Sequence, residues 1–298
     1  MLNRLLFVLK SIWSEPSNRG QRVRRTYRFV AWQFRKRVLR EPVEARLFNG
    51  LRIKVYPDCD TSPSALYYSL PNSVPVSFLR KHLRGGTLVD VGANVGMFSL
   101  LLADKVQHAI LFEPNPKLIE RVRENLRLNN LNYEVIAEAL SDSSGTVEFE
   151  NSANEMSCNR VVDGFTTSKA TISVPRTTFD QFLRTRRAQE PPITAVKIDV
   201  EGHENSVLRG MREFLRNQRP CLVMFEYLQR TDIAQTISLF GEVGYFVFEL
   251  SPAGPRAATK QVDSLQDLFA CPSELVEEFG ITTLSGVPRV DLPASESA

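Results

Sequence analysis

From Thr87 onward the chain alternates short β-rich runs with helical ones: strand 87–91, helix 94–104, strand 109–113, helix 116–129, strand 133–137. A βαβαβ rhythm of this kind needs a parallel sheet with helices on both faces, because each crossover must return to the same edge. The rhythm breaks at 141–176, which reads as two strands around a long polar loop. It resumes with helix 177–187, the strand "ITAVKIDV" at 193–200, helix 204–217, strand 221–227, helix 231–243 and strand 245–250. The fold class is therefore α/β, a mostly parallel Rossmann-like sheet.

"LVDVGANVGMFSLLLA", residues 88–103, is the strand-to-helix turn that opens this rhythm. "LVDVG" reads as a buried strand ending at Gly92, and "NVGMFSLLLA" as a helix with Asn94 as its N-cap. Glycines at 92 and 96 let a ligand approach the backbone at the positive end of that helix, which implies a nucleotide-like ligand. The G-x-x-x-G spacing differs from the G-x-G-x-x-G of a dinucleotide pyrophosphate site. Asp90 disfavours a phosphate and suits a cation. S-adenosylmethionine carries an ammonium and a sulfonium where NAD carries phosphates, so the turn favours the former. The second strand, in "AILFEPNP", ends in Glu113, about 20 residues beyond the glycines, where an acid accepts both ribose hydroxyls. Asn115 of the same string joins the cofactor set.

The fourth strand delivers "KIDVEGHE" to its carboxyl edge, where open α/β sheets bind their ligands. Lys197, Asp199 and Glu201 alternate onto one face, and the following turn carries His203 and Glu204. His203 has the pKa best suited to a general base, with Asp199 orienting it or the acceptor and Glu201 in the same cluster. An alternative has Asp199, Glu201 and Glu226 gathering Mg²⁺ to lower the acceptor's pKa. Plainer readings stand beside these: Lys197 and Asp199 as an ion pair, Glu201 and Glu204 favouring a helix start, His203 as a solvated turn residue. The polar loop at 151–170, with Asn151, Asn154, Asn159 and Arg160, offers the donors and acceptors a polyol needs. Tyr67 and Tyr68 read as core rather than as a cofactor cover.

"VDVGANVGMFSLLLA", "FEPNP", "ALSDSSGTVEF" and "AVKIDVEGHENSVLRGMREFL", in this order, resemble the FkbM family of S-adenosylmethionine-dependent methyltransferases. The resemblance covers about residues 70–272. It implies a class I methyltransferase sheet with one antiparallel strand near its end, and methylation of oxygen, commonly a hydroxyl of a sugar or a polyketide-type product, so the expected acceptor is a glycan or a small hydroxylated metabolite. It also implies that Ala139, Leu140 and Ser141 flank the adenine. Two other classes are weighed against it, an NAD-dependent oxidoreductase on a similar sheet and a non-catalytic nucleotide-binding protein. The glycine spacing and Asp90 disfavour the first, and the polar cluster at 197–204 disfavours the second.

Ahead of this body, residues 1–40 carry 11 Lys or Arg and one acid, Glu15, while the remainder holds 26 basic and 33 acidic side chains. Leu2, Leu5, Leu6, Leu9, Ile12 and Trp13 recur at helical spacing, as do Val23, Tyr27, Val30, Phe34 and Val38 after the break at Ser14-Glu15-Pro16. These are two amphipathic helices of a basic tail. They either dock peripherally on a membrane surface, which makes a lipid-linked sugar an attractive acceptor, or pack on the body. The first apolar run is too short to span a bilayer. The body carries no basic patch, so no nucleic-acid partner is expected. Residues 41–86 are expected to form an N-terminal cover, with a type I′ hairpin at Asn49-Gly50 and a helix stopped at Gly85-Gly86. The methyltransferase domain is placed at 87–284 and a flexible tail at 285–298. Four dispersed cysteines and three dispersed histidines argue against zinc or a disulfide framework, and a reducing cytoplasm is the expected compartment.

Overall fold

The computed structural model describes residues 2–71, 73–151, 160–162, 170–186, 191–228, 232–259 and 266–282. Two helices open the chain, α1 (Leu2–Ser14) and α2 (Arg22–Val38), followed by the hairpin β1 (Val43–Arg46) and β2 (Arg52–Val55) and by α3 (Ser64–Tyr67) and α4 (Ser73–His82). The βαβαβ unit is β3 (Thr87–Val91), α5 (Met97–Leu102), β4 (His108–Phe112), α6 (Pro116–Leu128) and β5 (Glu134–Ile136). A small separate sheet, β6 (Ala139–Leu140), β7 (Gly145–Glu150) and β8 (Thr171–Thr177), interrupts the winding. It resumes with α7 (Phe179–Arg184), β9 (Ile193–Ile198), α8 (Glu204–Gly210), α9 (Arg212–Gln218), β10 (Leu222–Tyr227), α10 (Ile233–Gly241), β11 (Tyr245–Ser251), β12 (Gly254–Ala257) and β13 (Gln266–Pro272).

The main sheet runs β12-β11-β13-β10-β9-β3-β4-β5. Strands β5, β4, β3, β9 and β10 are parallel, so the chain order reverses between β3 and β9. In open α/β sheets a crevice forms at such a switch point, beyond the carboxyl ends of the strands. One antiparallel strand was expected and two are present: β13 lies between β10 and β11, antiparallel to both, and β12 pairs antiparallel along the edge. The sheet is a mostly parallel, Rossmann-like sheet with helices on both faces. Alternate residues feed two cores. Leu88, Leu111 and Ala195 point to the side of α4, α5 and α6. Val89, Ile110 and Val196 point to the side of α7 to α10.

Two local expectations are corrected. Helix α5 begins after Gly96 rather than at Asn94, which sits in the left-handed region at φ +56° and caps nothing. The hairpin at Asn49-Gly50 forms, but only Gly50 takes positive φ, so the turn is not type I′. Asn49 uses its side chain instead, donating from Nδ2 to the Leu100 carbonyl at 2.8 Å.

Both tail helices rest on the body. Ile12, Phe29 and Trp32 are buried in the same core as α4 to α6. Asn18 donates from Nδ2 to the carbonyls of Ile12 and Tyr67, each at 3.0 Å. Arg25 reaches the carbonyls of Ala65 and Leu66 and the hydroxyl of Ser69. Tyr67 is correspondingly core, its ring 5.2 Å from that of Phe29. The stretch expected to be a flexible tail, 285–298, lies outside the described residues.

Candidate active site

Two parallel strands end side by side at the switch point, and each leaves through a turn in which a non-glycine residue is held at positive φ. After β3 it is Asn94, and after β9 it is Glu201 at φ +58°. Left-handed backbone costs an L-residue of order 1 kcal/mol or more, so its persistence at two adjacent strand ends marks turns held by their surroundings. The holding groups are visible. Glu113 Oε2 accepts from the Asn94 N–H at 2.8 Å, and Glu204 Oε1 accepts from the N–H of Gly202 at 3.0 Å and of Val200 at 3.3 Å. Gly92 is required for a further reason: a Cβ there would lie 1.9 Å from the Asp199 carbonyl oxygen.

These turns line a cavity of about 310 Å³. One end is nucleoside-like in its demands. Glu113, buried at the end of β4, accepts the Asn94 N–H on one oxygen and the Asn115 N–H on the other, at 2.8 and 2.9 Å. A carboxylate has about four lone-pair sites, so two remain for hydroxyl donors. Burial pushes the Glu113 carboxyl up to about 7, against the pull of the two N–H groups. Beside it Leu118, Ala139, Leu140 and Phe149 supply an apolar wall. This acceptor and wall fit a ribose with an attached base.

The other end is acidic. Asp199, Glu201 and Glu226 each bring a carboxylate oxygen within 4.8 Å of the others, and Asp267 of β13 also lines the cavity. Burial, then repulsion by Asp199, Glu201, Glu204 and Asp267, raises Glu226 far above the ordinary range. Its Oε2 is buried with no hydrogen-bond partner among the described residues. Burial and Asp199 push Asp267 up to about 6. Such a cluster accepts protons near neutral pH or attracts a cation.

The sequence-expected residues divide accordingly. Gly92, Asn94, Glu113, Ala139, Asp199, Glu201, His203 and Glu226 line one cavity. Asp90, Gly96 and Asn115 do not. Asp90, expected to meet a cofactor cation, is fully buried behind the strand end, where Oδ1 pairs with Lys197 Nζ at 3.3 Å and Oδ2 accepts from Ser99 Oγ at 2.7 Å. Lys197, itself buried, also donates to the Gly92 carbonyl at 2.8 Å and pairs with Asp199 at 3.4 Å. Burial disfavours its charge, but Asp199 and Asp90 outweigh that and raise it above the ordinary lysine range. Gly96 packs near Val122 and Leu111. Asn115 acts through Glu113. His203 places Nε2 3.0 Å from Ser141 Oγ, so the serine expected beside the adenine orients the histidine.

Asp267 was missed because "QDLFACP" has no alternation to mark a strand; buried on both faces, it reads only as a short apolar run. Of the polar loop, Asn154 and Asn159 lie outside the described residues, while Arg160 sits 3.5 Å from Glu150 and the neighbouring Val161 lines the cavity.

Comparison with known proteins places this geometry. Residues 90–247 match the family model described as the methyltransferase FkbM domain. A curated relative, the hexuronic acid methyltransferase AglP of Haloferax volcanii, is 30% identical over 130 residues, which cover 44% of this chain and 52% of that protein. The chain thus spans about half the length of that relative. Among solved structures, the methyltransferase FkbM of Methylobacillus flagellatus aligns over 90% of this chain and 59% of its own, at 14% identity and TM-score 0.45. The tRNA (uracil-54, C5)-methyltransferase of Pyrococcus abyssi, in complex with S-adenosyl-L-homocysteine, aligns over 78% of this chain and 44% of its own, at 14% identity and TM-score 0.42. The family model covers more than half of the sequence, from the opening strand to β11, and this chain belongs to the FkbM methyltransferase domain family.

Proposed function

We propose that the chain is an S-adenosylmethionine-dependent O-methyltransferase acting on a hydroxyl of a sugar or a small hydroxylated metabolite. One observation carries the reading: a single cavity joins a carboxylate preset for ribose hydroxyls, Glu113, to a carboxylate cluster able to take a proton, Asp199, Glu201, Glu226 and Asp267. Bound S-adenosylmethionine would supply an electrophilic methyl group on a sulfonium. Glu113 and the Asn94 turn would hold its ribose, and Ala139 and Leu140 its base.

The residues of this chain have a limited chemical task. Methyl transfer needs an acceptor oxygen held in line and relieved of its proton. Asp267, raised to about 6, is a proton acceptor close to neutral pH, where a general base is most effective, whereas Glu226, raised to about 9, keeps its own proton there. His203, fixed by Ser141, is the second candidate for that role. The hexuronic acid in the relative's name supports a sugar acceptor. The acidic end constrains the choice further, since an acceptor carboxylate brought against Asp199, Glu201 and Glu226 would be repelled. A sugar that is neutral where it meets the cluster fits best.

A second mechanism rests on the same three carboxylates. Their oxygens lie close enough to share one hard cation, and the unpartnered Glu226 Oε2 is available to it. Mg²⁺ held there would lower the acceptor's pKa and admit a uronate.

Incubation with methyl-labelled S-adenosylmethionine and a panel of neutral and uronic sugars, with and without EDTA, tests both. Labelling of neutral sugars that survives chelation supports the carboxylate mechanism, and labelling abolished by EDTA and restored by Mg²⁺ supports the metal. No labelled sugar under either condition would count against the proposed acceptor class.

A further inference from the structure

The two N-terminal helices bury one face on the body and leave the opposite face bare. On α2 the buried residues are Arg25, Phe29 and Trp32. Val23, Tyr27, Val30, Phe34 and Val38 lie about 180° around the helix from them, at 57–75% exposure. An apolar stripe at helical spacing ordinarily faces a core, and here it faces out. On α1, Leu6, Phe7 and Trp13 are likewise at least half exposed, and Trp13 lies beside Val23 and Tyr27. Trp13 Nε1 donates to Thr26 Oγ1 at 3.1 Å, tying the outer sides of the two helices together.

Cations flank the stripe. Arg24, Arg28 and Arg35 run along one side of α2 and Arg22 and Arg37 along the other. Residues 1–40 hold 11 basic side chains and one acidic one. We propose that this face is a docking surface for an anionic lipid bilayer, with both helices lying in the interfacial plane, the apolar stripe inserted and the Arg rows on lipid phosphates. A second copy of the chain is a poorer occupant, since a self-complementary contact would press two strongly cationic faces together with almost no acid to offset them. Nucleic acid is poorer as well, because the middle of the face is apolar and the cations are at its margins. No helix among the described residues is long and apolar enough to cross a membrane, in keeping with a helix pair that lies on the surface. The docked face also bears on the cavity: α2 packs against α3, whose flanking residues Asp60, Thr61 and Pro71 line it.

Full-length protein is mixed with phosphatidylcholine vesicles or with vesicles containing phosphatidylglycerol, and both co-sedimentation and tryptophan emission are read. The sequence has two tryptophans, Trp13 half exposed and Trp32 buried, so a shift of emission to shorter wavelength reports Trp13. Binding is expected only with the anionic vesicles, with a blue shift and with loss at high salt. The double variant Val30→Glu, Phe34→Glu changes exposed positions only, and its thermal melt verifies that it folds. Binding by that variant is expected to fall at least about tenfold, because burying either apolar side chain contributes at least 1.4 kcal/mol. Three results would overturn the proposal: wild-type protein that stays in the supernatant with anionic vesicles, binding unchanged in the folded variant, or a dimer by sedimentation velocity that the same variant dissolves.

Discussion

Asp90 Oδ1 and Lys197 Nζ lie 3.3 Å apart, fully and almost fully buried, on the neighbouring strands β3 and β9. The pair joins the two strand ends from which the cavity opens, and Lys197 carries it on to the Gly92 carbonyl and to Asp199. Removing one partner leaves a buried charge uncompensated, so Lys197→Met should destabilise the fold by about 3–5 kcal/mol. Chemical denaturation of Lys197→Met, Asp90→Asn and the double variant measures this. The double variant should cost less than the sum of the singles, because the two residues act as a unit.

Glycines 92 and 96 share a conformation but not an environment. Both have φ near +75°, yet a Cβ at 92 meets the Asp199 carbonyl oxygen at 1.9 Å, whereas at 96 the nearest atom is at 3.6 Å. Gly96→Ala should cost about 1–2 kcal/mol, the left-handed penalty alone. Gly92→Ala should cost clearly more and should also impair ligand binding, since the β9 exit must move. Equal losses in the two variants would show that the close approach is not decisive.

Much of the fold could be read from the sequence because hydrophobic periodicity is local: the β3-α5-β4-α6-β5 alternation depends on residues within a few turns of one another. β13 escaped because its position between β10 and β11 is set by distant partners. The candidate site shows the same division. Glu113, Asp199, Glu201 and Glu226 stand at strand ends, where topology places side chains at the crevice. Asp90, at a similar strand end, could not be distinguished from them, because its role depends on Lys197, more than 100 residues away. The outward stripe of α2 was visible as a pattern, but periodicity reports that a face is apolar, not what covers it.

Glu201 is left-handed between β9 and α8, in a turn gripped by the Glu204 carboxylate. Glycine relieves that backbone cost. Glu201→Gly should raise the melting temperature by about 2–4 °C while lowering methyl transfer, and it is checked by a thermal melt beside an activity assay. A lower melting temperature would mean that the Glu201 side chain contributes more than its backbone costs.

Stability should fall as pH rises through the acid-to-neutral range. Glu113, held up to about 7 in the fold against an ordinary 4.5, and Asp267, about 6 against 3.8, bind more protons folded than unfolded. Their stabilising effect is complete below the unfolded values and is lost as pH rises through the folded ones, so the window runs from about pH 4 to pH 7. For Glu113 the difference is of order 3 kcal/mol. Melts between pH 4.5 and 8 should show the decline, and Glu113→Gln should flatten it.

The proposed function requires this cavity to hold S-adenosylmethionine with Glu113 on its ribose. Calorimetric titration of the purified chain with S-adenosylhomocysteine, with NAD in parallel, tests it most directly, repeated on Glu113→Gln after a melt has verified its fold. Saturable binding of S-adenosylhomocysteine is expected, with no binding of NAD and a loss of at least about tenfold in affinity in the variant, the effect of one good hydrogen bond to a charged group. Binding of NAD alone, or S-adenosylhomocysteine binding unaffected by Glu113→Gln, would contradict it.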